Sequence, residues 1–170
     1  GAALARHFAE NGANVMCADI DEKALKKDLG ESADDSNVRY FAGDLREKLT
    51  LANLLSATVD AFDRVDVLVN ASRQMATTDP LDMDDETVDK LLQQNLMTSL
   101  RLSQMVAKRM IKQDEEQDHE FAGTIINLSS IAARLTQPEL LAYSVSTAAL
   151  EQMTRSMAVA LAKHRIRVNA

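Results

Sequence analysis

Along the chain, apolar positions alternate between a helical spacing of about four residues and short, nearly continuous runs, and the alternation recurs to the end. Residues 2–11 place Leu4 and Phe8 one turn apart and stop at Gly12, a residue suited to the left-handed cap that closes a helix. Residues 14–20 (NVMCADI) read as a short buried strand, 38–43 as a second strand and 49–62 as a helix. The β-branched run VDVLVNA, residues 65–71, has the character of a parallel strand covered on both faces. Residues 87–111 predict one long helix with an apolar stripe of Val88, Leu92, Leu96, Leu102, Val106 and Met110. A strand over 124–128, a helix over 142–163 and a strand over 166–169 complete the series. Strands alternating with helices predict an α/β fold with a doubly wound parallel sheet.

Composition narrows the class. A chain of 170 residues with 46% hydrophobic and 26% charged content fits one soluble globular domain with a real core. The net charge of -7 is spread along the chain, and no basic stripe interleaves with aromatics, so a nucleic-acid surface is not expected. Cys17 is the only cysteine and lies in an apolar run, which points to a buried, inert thiol and a reducing, cytoplasmic setting. No stretch approaches eighteen apolar residues and no leader is visible, so no membrane association is expected, although Gly1 already stands in mid-motif. His7, His119 and His164 lack metal-ligand spacing with one another or with Cys17, and no metal site is predicted. Met105, Met110, Met153 and Met157 read as packing residues. The acidic run QDEEQDHE, residues 113–120, reads as a solvated loop.

The chemistry concentrates in INLSSIAARLTQPELLAYSVSTAALEQMTRSMAVAL, where Ser130 stands thirteen residues before Tyr143. This run resembles the active-site segment of the short-chain dehydrogenase/reductase family: a serine, then Tyr-x-x-x-Lys at a helix start. Within that family it resembles the classical type, such as 3-oxoacyl-ACP reductases and hydroxysteroid dehydrogenases. Thr147 occupies the lysine's position. Interconverting a carbonyl and an alcohol requires a proton to move at oxygen while a hydride moves at carbon. The resemblance implies that Tyr143 passes that proton and that Ser130 bonds the substrate oxygen. A free tyrosine, with a pKa of about 10, needs help to act as a base near neutrality. A lysine four residues on shares the helical face and favours the phenolate; a threonine there can bond a nicotinamide ribose but carries no charge.

The likeness extends over essentially the whole chain. GAALARHFAENGANVMCADID is similar to the stretch that begins at the last glycine of the family's TGxxxGxG turn, making Gly1 that glycine, at the N-terminus of a helix that favours a pyrophosphate. Asp19, eighteen residues on, corresponds to the carboxylate that binds the adenosine ribose hydroxyls, which favours NAD over NADP; the other reading is that Asp19, with Asp21 and Glu22, caps the next helix. Asp44 and Leu45 match the family's Asp-Val/Leu pair beside the adenine, against the alternative of helix capping before residues 49–62. VDVLVNASR resembles DxLVNNAG, with Asn70 at its first asparagine, Ala71 in place of the second and Arg73 in place of glycine. An arginine there either crowds the coenzyme or puts a cation beside the site. Asn95 corresponds to the asparagine that holds a water in the family's proton relay; a local interhelical hydrogen bond is the other reading.

The resemblance implies an NAD-dependent oxidoreductase acting on an alcohol or ketone, and a homodimer or homotetramer paired through helices 87–111 and 142–163. It also implies that residues 1–170 are one partial dinucleotide-binding, Rossmann-type domain that lacks the first strand and the C-terminal strand, leaving exposed sheet edges. Thr147, Ala71 and Arg73 keep a second reading open, a catalytically silent relative that acts as a nucleotide-binding or regulatory subunit.

Overall fold

The computed structural model describes residues 1–29, 36–115, 120–135 and 137–170, which form two compact units, Gly1–Asp63 and Arg64–Ala170. In the front unit the order is α1 (Ala2–Glu10), β1 (Val15–Asp19), α2 (Glu22–Leu29), β2 (Val38–Ala42) and α3 (Lys48–Phe62). The strands pair in parallel from Val15 opposite Val38 to Asp19 opposite Ala42. Gly12, at a φ of 84°, ends α1: its N–H reaches the Ala9 carbonyl at 3.0 Å and the Ala13 N–H reaches that of Phe8 at 3.0 Å. This is the Schellman arrangement, open at low cost to a residue without a Cβ. The Asn37 side chain then donates to the Ala9 and Ala13 carbonyls at 3.3 and 3.2 Å, tying the start of β2 to the end of α1.

The rear unit runs β3 (Val67–Asn70), α4 (Thr87–Leu91), α5 (Thr98–Asp114), β4 (Gly123–Asn127), α6 (Leu141–Leu161) and β5 (Ile166–Asn169). Its sheet order is β3-β4-β5, all parallel, with Asn70 opposite Asn127 and Gly123 opposite Ile166. Met110, Ile125, Val106, Leu150 and Ile166 form its interior. Gly123 lies directly against the Met110 side chain, so the strand approaches α5 where any Cβ would collide. The alternating α/β order with parallel pairing agrees with the sequence pattern; the strands fall into two sheets, β1-β2 and β3-β4-β5.

Several expectations change. The long helix is not one regular element: a π turn, Leu92–Met97, joins α4 to α5. The extra residue in that turn moves the buried stripe by about one position. Leu91, Asn95, Ser99, Leu102, Ser103, Val106 and Met110 are buried, while Leu92 and Leu96 are half-buried. The helix continues to Asp114, so 113–114 are helical rather than loop, and residues 116–119 of that acidic run lie outside the described residues, as does His119. In β3, Val67 is exposed, so this strand is not covered on both faces throughout. Cys17 is half-buried rather than buried, and desolvation pushes its thiol pKa up.

Candidate active site

In the rear unit the residues singled out by sequence converge around the start of α6. Ser130 is extended, and its Oγ accepts the Ala132 N–H at 3.2 Å, capping a short 3-10 turn, Ile131–Ala133. Ala132 is buried in one cluster with Leu91, Ala142 and the Tyr143 ring, against which Ala76, Val88 and Leu140 pack. Ser130 thus caps the short turn whose Ala132 side chain joins the Tyr143 cluster. Thr78 fixes the entry to α6: its Oγ1 accepts the Ala142 N–H at 3.2 Å, and its own N–H donates to the Glu139 carbonyl at 2.8 Å.

Asn95 is 3% exposed and fully engaged. Its Oδ1 accepts the Gln74 N–H at 2.8 Å, and its Nδ2 donates to the Gln74 carbonyl at 2.9 Å and to Ser146 Oγ at 3.0 Å. Ser146 in turn donates to the Tyr143 carbonyl at 2.9 Å. The interhelical bond weighed from the sequence is present, and it also pins the loop after β3. Asn95 lies, buried, within the π turn Leu92–Met97, an element that recurs at functional sites. Thr147 is buried on the Tyr143 face as its spacing required, with its hydroxyl proton shared between the carbonyls of Tyr143, at 2.9 Å, and Ser144, at 3.1 Å.

Asn70 points into the sheet. Its Nδ2 donates to Asn127 Oδ1 at 2.7 Å and to Ser103 Oγ at 3.0 Å, and Asn127 Nδ2 donates to Thr154 Oγ1 at 2.8 Å. Burying four polar side chains is tolerable because each finds a partner. Asn127, Ser103, Thr154, Ser146 and Thr78 were not found from the sequence. One signal was available: both apolar strands, VLVN and GTIIN, end in asparagine. Arg73 extends to the residue before Ser130, its Nη1 donating to the Ser129 carbonyl at 3.1 Å.

The front unit carries the remaining candidates. α1 opens at Gly1 without a side-chain cap or an acidic residue in its first turn, leaving its first N–H groups suited to an anion. Asp19 ends β1, exposed, with Oδ1 accepting the Asp21 N–H at 3.0 Å; Asp21, not Asp19, caps α2 by accepting the Ala24 N–H at 3.0 Å. The second oxygen of Asp19 and the uncapped turn at Gly1 fit a dinucleotide's ribose hydroxyls and pyrophosphate. Asp44 does not cap α3, whose N-cap is Glu47. Instead its carboxylate forks the Arg46 guanidinium and accepts the Arg46 N–H at 3.0 Å, bonds that hold its pKa down to about 2. Leu45 follows in that turn, half-buried. Among the described residues no group of three or more His, Cys, Asp or Glu gathers as a metal site, and no helix is long and apolar enough to cross a membrane.

A family model described as enoyl-(acyl carrier protein) reductase matches residues 1–170. An uncharacterized oxidoreductase of Thermotoga maritima is 32% identical over 99% of this chain and 63% of its own length. Carbonyl reductase [NADPH] 2 of Sus scrofa is 37% identical over 106 residues, 62% of this chain and 41% of that protein. A 7α-hydroxysteroid dehydrogenase complexed with NADH and 7-oxo glycochenodeoxycholic acid superposes with a TM-score of 0.86 and 28% identity, over 98% of this chain and 62% of that one. The chain belongs to the short-chain dehydrogenase/reductase family, a family of oxidoreductases. It spans less than two thirds of the length of these relatives.

Proposed function

We propose that this chain is a partial dinucleotide-binding domain of an NAD-dependent oxidoreductase that interconverts an alcohol and a ketone. The observation that carries the reading is that Ser130 caps the turn of Ala132, whose side chain shares one buried cluster with Tyr143, while the Asn95–Ser146 bond braces the helix start. Ser130 orients the substrate oxygen, and Tyr143 gives it a proton in reduction or takes one in oxidation. The Tyr143 ring is buried, and its hydroxyl has no protein partner among the described residues, which leaves it available to a substrate. NAD supplies the hydride acceptor, or in reduced form the donor, when bound. Asp19 favours NAD over NADP because a carboxylate repels a 2'-phosphate. Gly1, Asp44, Leu45, Asn70 and Thr147 complete the proposed coenzyme contacts: Asn70 through backbone position, since its amide hydrogens are spent on protein, and Thr147 through a hydroxyl oxygen that accepts from a ribose. The proposed setting is cytoplasmic, and the proposed assembly a homodimer or homotetramer.

A second reading rests on Thr147. Its hydroxyl proton is committed to helix carbonyls and no cation replaces the lysine at that position, which favours a silent, nucleotide-binding or regulatory relative. Steady-state rates of the full-length protein decide between the two. The enzyme reading expects turnover that Tyr143→Phe lowers at least a hundredfold, the low end of what a positioned acid–base group contributes. It expects alcohol oxidation to rise with pH above neutrality and Thr147→Lys to move that rise to lower pH. No turnover in the parent and none created by Thr147→Lys would leave the silent reading standing. Calorimetric affinities for NAD and NADP, in the parent and in Asp19→Ser, test the coenzyme preference; equal affinities in the parent would refute it.

A further inference from the structure

We propose that Arg73 binds a carboxylate on the substrate, so that the molecule taken at Ser130 and Tyr143 is an oxo acid or hydroxy acid whose acid group lies a few atoms from the reacting oxygen. The proposal rests on the oxidoreductase reading and names its substrate class. Arg73 stands in the loop between β3 and α4, and the next residue, Gln74, is held at both its N–H and its carbonyl by Asn95, at 2.8 and 2.9 Å. The backbone that launches the arginine is therefore fixed. Its side chain crosses 56 positions to the Ser129 carbonyl, and consecutive Cα atoms are about 3.8 Å apart, so the guanidinium ends beside Ser130.

That bond is made to a neutral acceptor and uses one of the five N–H donors of a group whose geometry matches an oxyanion's two oxygens. Arg73 is exposed, and among the described residues no carboxylate pairs with it. The carboxylates of the acidic loop that comes next bond to backbone within that loop: Asp79 accepts the Leu81 N–H at 3.0 Å, Asp82 that of Asp84 at 3.0 Å and Asp85 that of Thr87 at 2.8 Å. On the other side of Ser129, Glu151 accepts the Ser129 hydroxyl at 3.2 Å and meets Arg134 at 3.4 Å and Arg155 at 3.6 Å. Among the described residues, Arg73, Arg134 and Arg155 thus gather with Glu151 around Ser129, at the strand end that carries Ser130, in a chain whose net charge is -7. A cation excess there, with Arg73 unneutralised, suits an anionic substrate.

The test compares a 3-oxo acid with its own ester, which keeps the reacting carbonyl and removes the charge. Reduction of acetoacetate and of methyl acetoacetate by the full-length protein with NADH gives the two kcat/KM values. The proposal expects the acid to be preferred, Arg73→Gln to lower its kcat/KM about 10- to 100-fold while the ester stays within about twofold, and Arg73→Lys to keep part of the preference. An equal loss on both compounds, a change confined to the KM for NADH, or no preference for the acid in the parent would overturn it. Should neither compound turn over, calorimetry with acetoacetate alone separates the two claims: binding lost in Arg73→Gln upholds the anion site although the oxidoreductase reading has failed, and absence of binding overturns the site as well.

Discussion

The carboxylates of the front unit hold themselves to neighbours two or three residues away, as in Asp19 to Asp21, Asp21 to Ala24 and Asp44 to Arg46. The polar side chains of the rear unit reach across 21 residues from Asn95 to Gln74, 51 from Asn95 to Ser146 and 57 from Asn70 to Asn127. The first set is exposed and the second buried. A surface bond exchanges water for protein at nearly equal free energy, whereas a buried group that loses its partner keeps its desolvation penalty. The two units therefore place their candidate residues by different means: local turn chemistry in front, and a network formed only once the chain has folded behind.

The largest effect should come from breaking that network. Asn127→Ala leaves the Asn70 amide and the Thr154 hydroxyl short of partners in a buried interior, and urea denaturation should show a loss of about 2–4 kcal/mol. A loss under about 0.5 kcal/mol would erase the distinction between the units. Asp21→Ala removes a helix cap from the front unit and should cost about 1 kcal/mol by the same measurement. The smallest effect belongs to Asp44→Asn, an exposed pair worth at most about 1 kcal/mol. Its pH dependence has a definite sign. The carboxyl falls from an ordinary 3.8 to about 2 in the folded protein, so its contribution is in place above 3.8 and is lost as the pH drops through about 2. Carboxyl chemical shifts followed by NMR titration would check this, and a midpoint near 3.8 would show that the Arg46 fork does not persist in solution.

The same contrast explains what could be read beforehand. Gly12 disclosed the end of α1, and the strand runs disclosed β1 to β5 within a residue or two, because periodicity and cap chemistry are local. Ser130 and Tyr143 were legible through their spacing in a known pattern, and Asp19 through its place at a strand end. Ser146, Thr78 and Asn127 were not, since what distinguishes them is contact with residues 51, 64 and 57 positions away. The π turn escaped for another reason. Leu92 and Leu96 continue the apolar pattern plausibly, and only the packed structure shows that Leu91 and Asn95 take the interior instead.

That turn makes the stretch from Thr87 to Asp114 behave as a dogleg. A π turn carries one more residue per hydrogen-bonded ring than the α-helix, so the surfaces before and after it are out of step by roughly 100°. Upstream, α4 rests on α6 and supplies Leu91 to the seat of Tyr143; downstream, α5 lies on β3 and β4. Identical apolar exchanges on its two arms thus have unlike meanings: before Leu92 they reshape the bed of a tyrosine, and after Met97 they loosen the floor of a sheet.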